Sequence, residues 1–107
     1  MAMSKERWHE ELAAAATEKD VVNVVRDYVA LLTSDDVAAM PRESRPGLIA
    51  TAEEIAEWAV KLVREQLALV AASEGVEVMR DMCEFFAAAA AKVTKIRIAS
   101  VARSTET

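Results

Sequence analysis

The chain contains very few residues that interrupt a helix. Glycine and proline occupy only four positions, and three of these lie in one seven-residue segment, residues 41–47 with the sequence PRESRPG. The fourth position is Gly75. Glycine and proline are the strongest breaks in a helical pattern, so the sequence predicts helices joined by one loop and a few tight turns. Because catalytic and binding groups are most often positioned by loops, this pattern limits function as well as fold.

Apolar residues recur at intervals of three and four, which is the periodicity of an α-helix. The pattern predicts helices over residues 4–16, 18–32, 52–72 and 74–100, and a short helical turn that ends at Met40. Thr17 and Thr51 each stand three positions before an acidic residue, which is the spacing of a capping box. The predicted fold is therefore all-α: a mostly antiparallel four-helix bundle with one short extra helical turn before the Pro/Gly loop. After that loop, we expect Leu48 and Ile49 to return to the core.

At 107 residues the chain is long enough for one domain, and we interpret residues 1–107 as one, with residues 101–107 as a frayed polar tail. Hydrophobic residues make up 53% of the chain, but many of them are alanines, and aromatic residues make up only 5%. A core built from small side chains is thin. Because thin cores are often completed by a second chain, we expect a homodimer.

The net charge of −5 is unevenly distributed. Residues 1–60 carry a net charge of −6, whereas residues 61–107 carry +1, a difference that suits head-to-tail contacts within one bundle or between two chains. An acidic chain argues against nucleic acid as a partner. No apolar run reaches membrane-spanning length, and the charged N-terminal residues lack the apolar core of a signal peptide. With a single cysteine, these features predict a cytoplasmic protein without a membrane partner.

The candidate catalytic and metal-binding groups lack the partners that such chemistry needs. Glu6 and His9 have the Glu-x-x-His spacing of di-iron bundles, but those sites need a second such motif and His9 is the only histidine. Cys83 stands in an apolar setting, whereas a nucleophilic thiolate needs a base or a positive environment. We therefore interpret His9 as a surface residue and Cys83 as a small buried hydrophobe. The sequence predicts no catalytic residue, no cofactor and no metal site.

Basic residues near the C-terminus permit two interpretations. Lys92, Lys95, Arg97 and Arg103 follow one another with no acidic residue between them. They could contact nucleic acid or an acidic partner. Alternatively, they could stabilise the C-terminal end of the last helix and pair with the acidic N-terminal half, and the sequence favours this second interpretation.

The loop carries the first of two candidate interaction sites. Arg42 and Arg45 stand in a segment restrained by two prolines and a glycine, and two guanidinium groups held in this way could bind a carboxylate or a phosphate. The same arginines could instead cap neighbouring helix ends. The sequence leaves both interpretations open.

The last predicted helix carries the second candidate site, because it has two apolar stripes where a small bundle needs one. Methionine and phenylalanine beside a run of alanines suit contact between helices. The residues assigned to this oligomer face are Met79, Met82, Phe85, Phe86 and Ala89.

Together these features favour a non-catalytic helical module for protein–protein interaction, such as a regulator, adaptor or inhibitor. Its expected partners are a second copy of the chain, as a homodimer, and a further protein. One alternative is a helical binder of a small molecule or metal with enzymatic activity. A third is a nucleic-acid accessory protein that uses the basic C-terminal stretch.

Overall fold

The computed structural model describes residues 5–32, 46–68 and 76–105. These residues form four α-helices and no strand: α1 (Lys5–Ala14), α2 (Glu18–Ala30), α3 (Ala52–Ala68) and α4 (Val76–Thr105). The predicted all-α class is confirmed. The predicted helical turn before Pro41 and the candidate residues Arg42 and Arg45 lie outside the described residues.

Helix α2 begins at the capping box that the sequence predicts. Thr17 has an extended backbone and its Oγ1 accepts a hydrogen bond from the backbone N–H of Asp20 at 3.1 Å. In return, Asp20 Oδ2 accepts from the backbone N–H of Thr17 at 3.2 Å. These two bonds satisfy backbone donors that the first turn of a helix leaves unpaired.

Helix α3 begins at a related cap. Thr51 Oγ1 accepts from the backbone N–H of Glu54 at 3.2 Å and donates to the Glu54 carboxylate at 3.1 Å. Thr51 therefore fixes the start of α3 as predicted. The acidic residues of the first turn, Glu53 and Glu54, lie where the helix dipole favours negative charge.

Helices α2 and α4 each contact the other three helices. The buried valines of α2, namely Val21, Val22 and Val25, explain why its apolar surface is too wide for a single stripe. One hydrophobic core takes side chains from α1, α2, α3 and α4. Its largest fully buried members are Phe85, Phe86, Ile49, Ile55, Leu62, Met82, Val21 and Val25.

Three local predictions are wrong, the first being that the periodicity of α3 places Val63 on its buried face, whereas Val63 is 46% exposed. Ile49 is buried as predicted, but the neighbouring Leu48 is 75% exposed. Helix α4 ends at Thr105, five residues after the predicted end at Ser100. Residues 101–105 contain no glycine or proline to stop the helix, so it continues.

Candidate functional site

The side chain of Phe85 lies at the centre of an aromatic cluster. Its ring stacks on Tyr28 with centroids 4.0 Å apart and an interplanar angle of 21°. Trp8 contacts the same ring edge-on at 6.1 Å, and Phe86 does so at 6.4 Å. Because Trp8 comes from α1 and Tyr28 from α2, this cluster joins three helices.

The candidate oligomer face of α4 lies inside this core. Met82, Phe85, Phe86 and Ala89 are all almost completely buried within one chain. The sequence predicts that a second chain covers these side chains, but α1 and α2 of the same chain cover them instead. Met79 belongs to α4, but its side chain is outside the described residues. A dimer face on the four buried side chains would require the core to open, and the dimer itself stays a prediction.

The structure places His9 and Cys83 in packing roles. His9 is partly buried, and its ring lies edge-on to Phe85 with centroids 5.9 Å apart. Cys83 is buried, as predicted. Burial, and secondarily the nearby negative charge of Glu84, raise the pKa of the Cys83 thiol, which disfavours the reactive thiolate. Among the described residues, no group of three or more histidine, cysteine or acidic side chains could hold a metal ion.

Two members of the basic stretch bind groups in their own chain. Lys92 donates from Nζ to the backbone carbonyl of Ala13 at 3.0 Å, at the C-terminal end of α1, where the helix dipole favours positive charge. Arg97 joins the first turns of α2 and α3. Its Nε and Nη2 donate to Glu18 Oε1 at 3.0 and 2.7 Å, and Nη2 also donates to Glu53 Oε1 at 2.6 Å.

These contacts change the acidity of the groups involved. The hydrogen bond from Arg97, together with its charge, lowers the pKa of Glu53. The hydrogen bonds that Arg97 donates to the carboxylates of Glu18 and Glu53 raise the pKa of Arg97. Pairing with the acidic N-terminal half is therefore what the structure shows for Arg97. Lys95 and Arg103 are exposed, so the stretch is divided between internal anchors and surface charges.

Two of the grooves on the surface of the described residues bear on a binding function. The first lies between α1 and α2, has a volume of about 400 Å³, and combines an apolar floor with acidic side chains. Its lining residues are Trp8, Glu11, Val24, Asp27, Ala30 and Leu31. The second, which we call the α3–α4 groove, has a volume of about 330 Å³ and is lined by Ala52, Glu53, Ala56, Glu57, Ala90, Val93, Thr94 and Arg97.

Four large aliphatic side chains are exposed on α3 and α4. Val60 and Val63 on α3 are 55% and 46% exposed, while Ile98 and Val101 on α4 are 65% and 64% exposed. The sequence pattern assigns Val63 to the buried face of α3 and does not single out the other three. Their grouping depends on how the two helices pack, which the periodicity of one helix does not show.

Comparisons with known protein families, with characterised proteins and with solved structures found no match to this chain. In the part of the chain that the structure describes, no helix has both the length and the apolar character needed to cross a membrane.

Proposed function

We propose that the protein is a non-catalytic helical module for protein–protein interaction and that it acts as a homodimer. The observation that carries this proposal is the exposure of Val60, Val63, Ile98 and Val101 on two helices that are in contact. Single exposed aliphatic residues are common on protein surfaces. Several on one side of a helix pair are typical of a surface that another protein covers.

We propose that the helices form a four-helix bundle that presents these residues. Arg97, late in α4, contacts the first turns of α2 and α3, whereas Phe85, early in α4, contacts Tyr28 near the end of α2. These pairs support α4 running antiparallel to α2 and α3. Lys92 lies against the end of α1 and Phe85 against Trp8 near its start, which supports α1 running parallel to α4. These contacts support the proposal of a mostly antiparallel bundle.

The positions of the reactive groups support the proposed non-catalytic role. The Cys83 thiol is buried with a raised pKa, and His9 packs against an aromatic ring. Neither environment prepares a nucleophile or a general base for substrate. We also propose a cytoplasmic location, which the single cysteine supports.

Native mass spectrometry of the full-length protein after mild purification tests this function. A dimer, or a stoichiometric complex with another protein, is the expected result. A monomer with no protein bound at any concentration would contradict it. A stoichiometric metal or small molecule would instead support the alternative of a helical ligand binder, for which the groove between α1 and α2 offers about 400 Å³.

The third candidate function, as a nucleic-acid accessory protein, would use Lys92, Lys95, Arg97 and Arg103. Two of these, Lys92 and Arg97, contact their own chain, so binding to phosphate would have to compete with those contacts. Measuring retention on single- and double-stranded nucleic acid at low salt tests it directly. Salt-sensitive retention that is lost in Lys95→Glu/Arg103→Glu would favour this role.

The arginine loop stays a separate proposal, because Arg42 and Arg45 lie outside the described residues. If they bind an acidic partner, Arg42→Ala/Arg45→Ala should weaken binding with little change in thermal stability. If they cap helix ends, the double variant should melt at a lower temperature and bind as before. A thermal melt beside a pull-down distinguishes these outcomes.

A further inference from the structure

The exposed aliphatic residues on α3 and α4 form two pairs that extend from the α3–α4 groove. Ala56 lines the groove, and Val60 and Val63 follow it by four and seven positions, which places all three on one face of α3. Thr94 lines the groove from the other side, and Ile98 and Val101 follow it at the same intervals. Because α3 and α4 run antiparallel in the proposed bundle, the two pairs extend from opposite ends of the groove.

The groove between the two pairs combines small side chains with charged ones, because Glu53, Glu57 and Arg97 also line it. Ala56 and Ala90 have only methyl side chains, which allow close approach of another helix. Thr94 donates its hydroxyl to the backbone carbonyl of Ala90 at 3.1 Å, so its polar atom already has a partner within α4. The proposed face is thus aliphatic at both ends, and its middle combines alanines with the Glu53–Arg97 ion pair.

We propose that a second copy of the chain covers this face, with a twofold axis through the groove. This inference rests on the proposed function as an interaction module and names its surface. A twofold rotation exchanges the two ends of the groove. It lays the end of α4 along α3 of the partner, so that Ile98 packs on the partner's Val60 and Val101 on the partner's Val63. The same contacts occur twice, since each copy contributes both pairs.

The charges on the two helices match in this register. Glu57, Val60 and Val63 follow one another at intervals of three on α3, and Lys95, Ile98 and Val101 do the same on α4. With Ile98 on the partner's Val60, Lys95 therefore lies opposite the partner's Glu57. Both side chains are exposed in the single chain. Unlike charges across an interface select the register and reject alternatives.

Because Arg97 lies level with Glu53, the strip from Val63 to Val101 is roughly 21 Å long at about 1.5 Å per helical residue. Standard interfaces take roughly 800 Å² from each partner, so the proposed dimer has a small interface. The groove between α1 and α2 is a weaker candidate for a second copy, because the acidic Glu11 and Asp27 would meet the same acidic groups in a symmetric contact.

The test measures the dimer dissociation constant of the full-length protein by sedimentation velocity. Ile98→Asp should weaken the dimer by roughly a hundredfold or more, because it places a charge in both copies of an apolar contact. Leu48→Asp is the matched control, since Leu48 is a more exposed aliphatic residue outside the α3–α4 face. It should leave the dissociation constant unchanged. Circular dichroism checks that both variants fold.

A charge exchange tests the register itself. Glu57→Lys and Lys95→Glu should each weaken the dimer by roughly tenfold, since each puts like charges together at two symmetric positions. Glu57→Lys combined with Lys95→Glu should restore it, because the pair is rebuilt with its charges exchanged.

Three results would overturn the inference: a dimer that Ile98→Asp does not weaken, a double variant no tighter than the single ones, or a monomeric wild type. The first two leave the proposed function intact, because they show self-association through another surface. The third removes the homodimer, and the interaction function then fails only if native mass spectrometry also finds no other bound protein.

Discussion

Replacing Phe85 by leucine tests whether this ring belongs to the core of one chain or to a contact between chains. Phe85 is only 1% exposed, stacks on Tyr28 and receives edge contacts from Trp8, His9 and Phe86. Leucine keeps an apolar side chain of similar size but removes the aromatic ring. The substitution therefore measures the ring contacts more directly than a change to alanine, which would also leave a large cavity.

The expected loss of unfolding free energy combines two effects. An apolar substitution of similar volume in a core costs less than about 1.5 kcal/mol. Each aromatic pair is worth about 0.5–1.5 kcal/mol beyond its buried area, and Phe85 loses a stacked pair and several edge contacts. Because such terms are not additive, we expect a total of about 2–3 kcal/mol. A domain with about 5–15 kcal/mol of stability should still fold after this loss.

Phe86→Leu is the matched control, because Phe86 is equally buried and its described ring contact is the edge-on contact with Phe85. It should cost about 1–1.5 kcal/mol. Urea unfolding, followed by circular dichroism at several protein concentrations, measures both values. At about 1–3 kcal/mol per molar urea, the two midpoints should differ by roughly 1 M.

Two outcomes would refute this reasoning. One is a Phe85→Leu variant that loses no more stability than Phe86→Leu, which would show that the ring contacts contribute little. The other is a loss that grows as the protein is diluted, since mass action in a dimer, and not packing within one chain, produces such a dependence.

Three further predictions concern the polar contacts and the cysteine. Arg97→Gln should make the free energy of unfolding less sensitive to acid. Arg97 lowers the pKa of Glu53 in the folded state. The Arg97–Glu53 pair therefore stabilises the fold above the unfolded pKa of about 4.3, and this stabilisation is lost as the pH falls through the lower folded pKa. Thermal melts across that range test this, with Arg103→Gln as the control. Lys92→Met should lower the unfolding free energy by about 0.5–1 kcal/mol in urea titrations, because the end of α1 loses its charged donor. The raised pKa of Cys83 stabilises the folded state below the unfolded thiol pKa of about 8.5, and this contribution is lost as the pH rises through the higher folded pKa. The melting temperature of Cys83→Ala should therefore decline less above that pH than the melting temperature of the wild type.

The helices and their starting points were predictable because their signals are local. The capping threonines Thr17 and Thr51 stand three residues before Asp20 and Glu54, and both bond as the spacing predicts. Helix propensity and apolar periodicity depend on neighbouring residues in the same way. Where a local signal is missing, as at the C-terminal end of α4, the predicted boundary was wrong by five residues.

The contacts that join helices could not be predicted residue by residue. Arg97 and Glu18 are 79 positions apart, as are Lys92 and Ala13. The sequence indicates that the basic stretch pairs with the acidic half, but several acidic residues there satisfy that condition equally well. Only the packing of α4 against the starts of α2 and α3 selects Glu18 and Glu53. The position of Leu48 likewise depends on the direction of the chain before α3.

The aromatic residues show how a chain with few large side chains can form its hydrophobic core without a second chain. Four of the five, Trp8, Tyr28, Phe85 and Phe86, meet in one cluster, which belongs to a core built from aliphatic side chains of the same chain. Trp58 is only partly buried, with the Lys61 ammonium 4.4 Å from its ring centroid. Since the core is closed within the chain, thinness of the core no longer favours a dimer. A second copy is expected at the α3–α4 face because aliphatic side chains remain exposed there, and the stability of the core and the strength of the dimer should therefore respond to different substitutions.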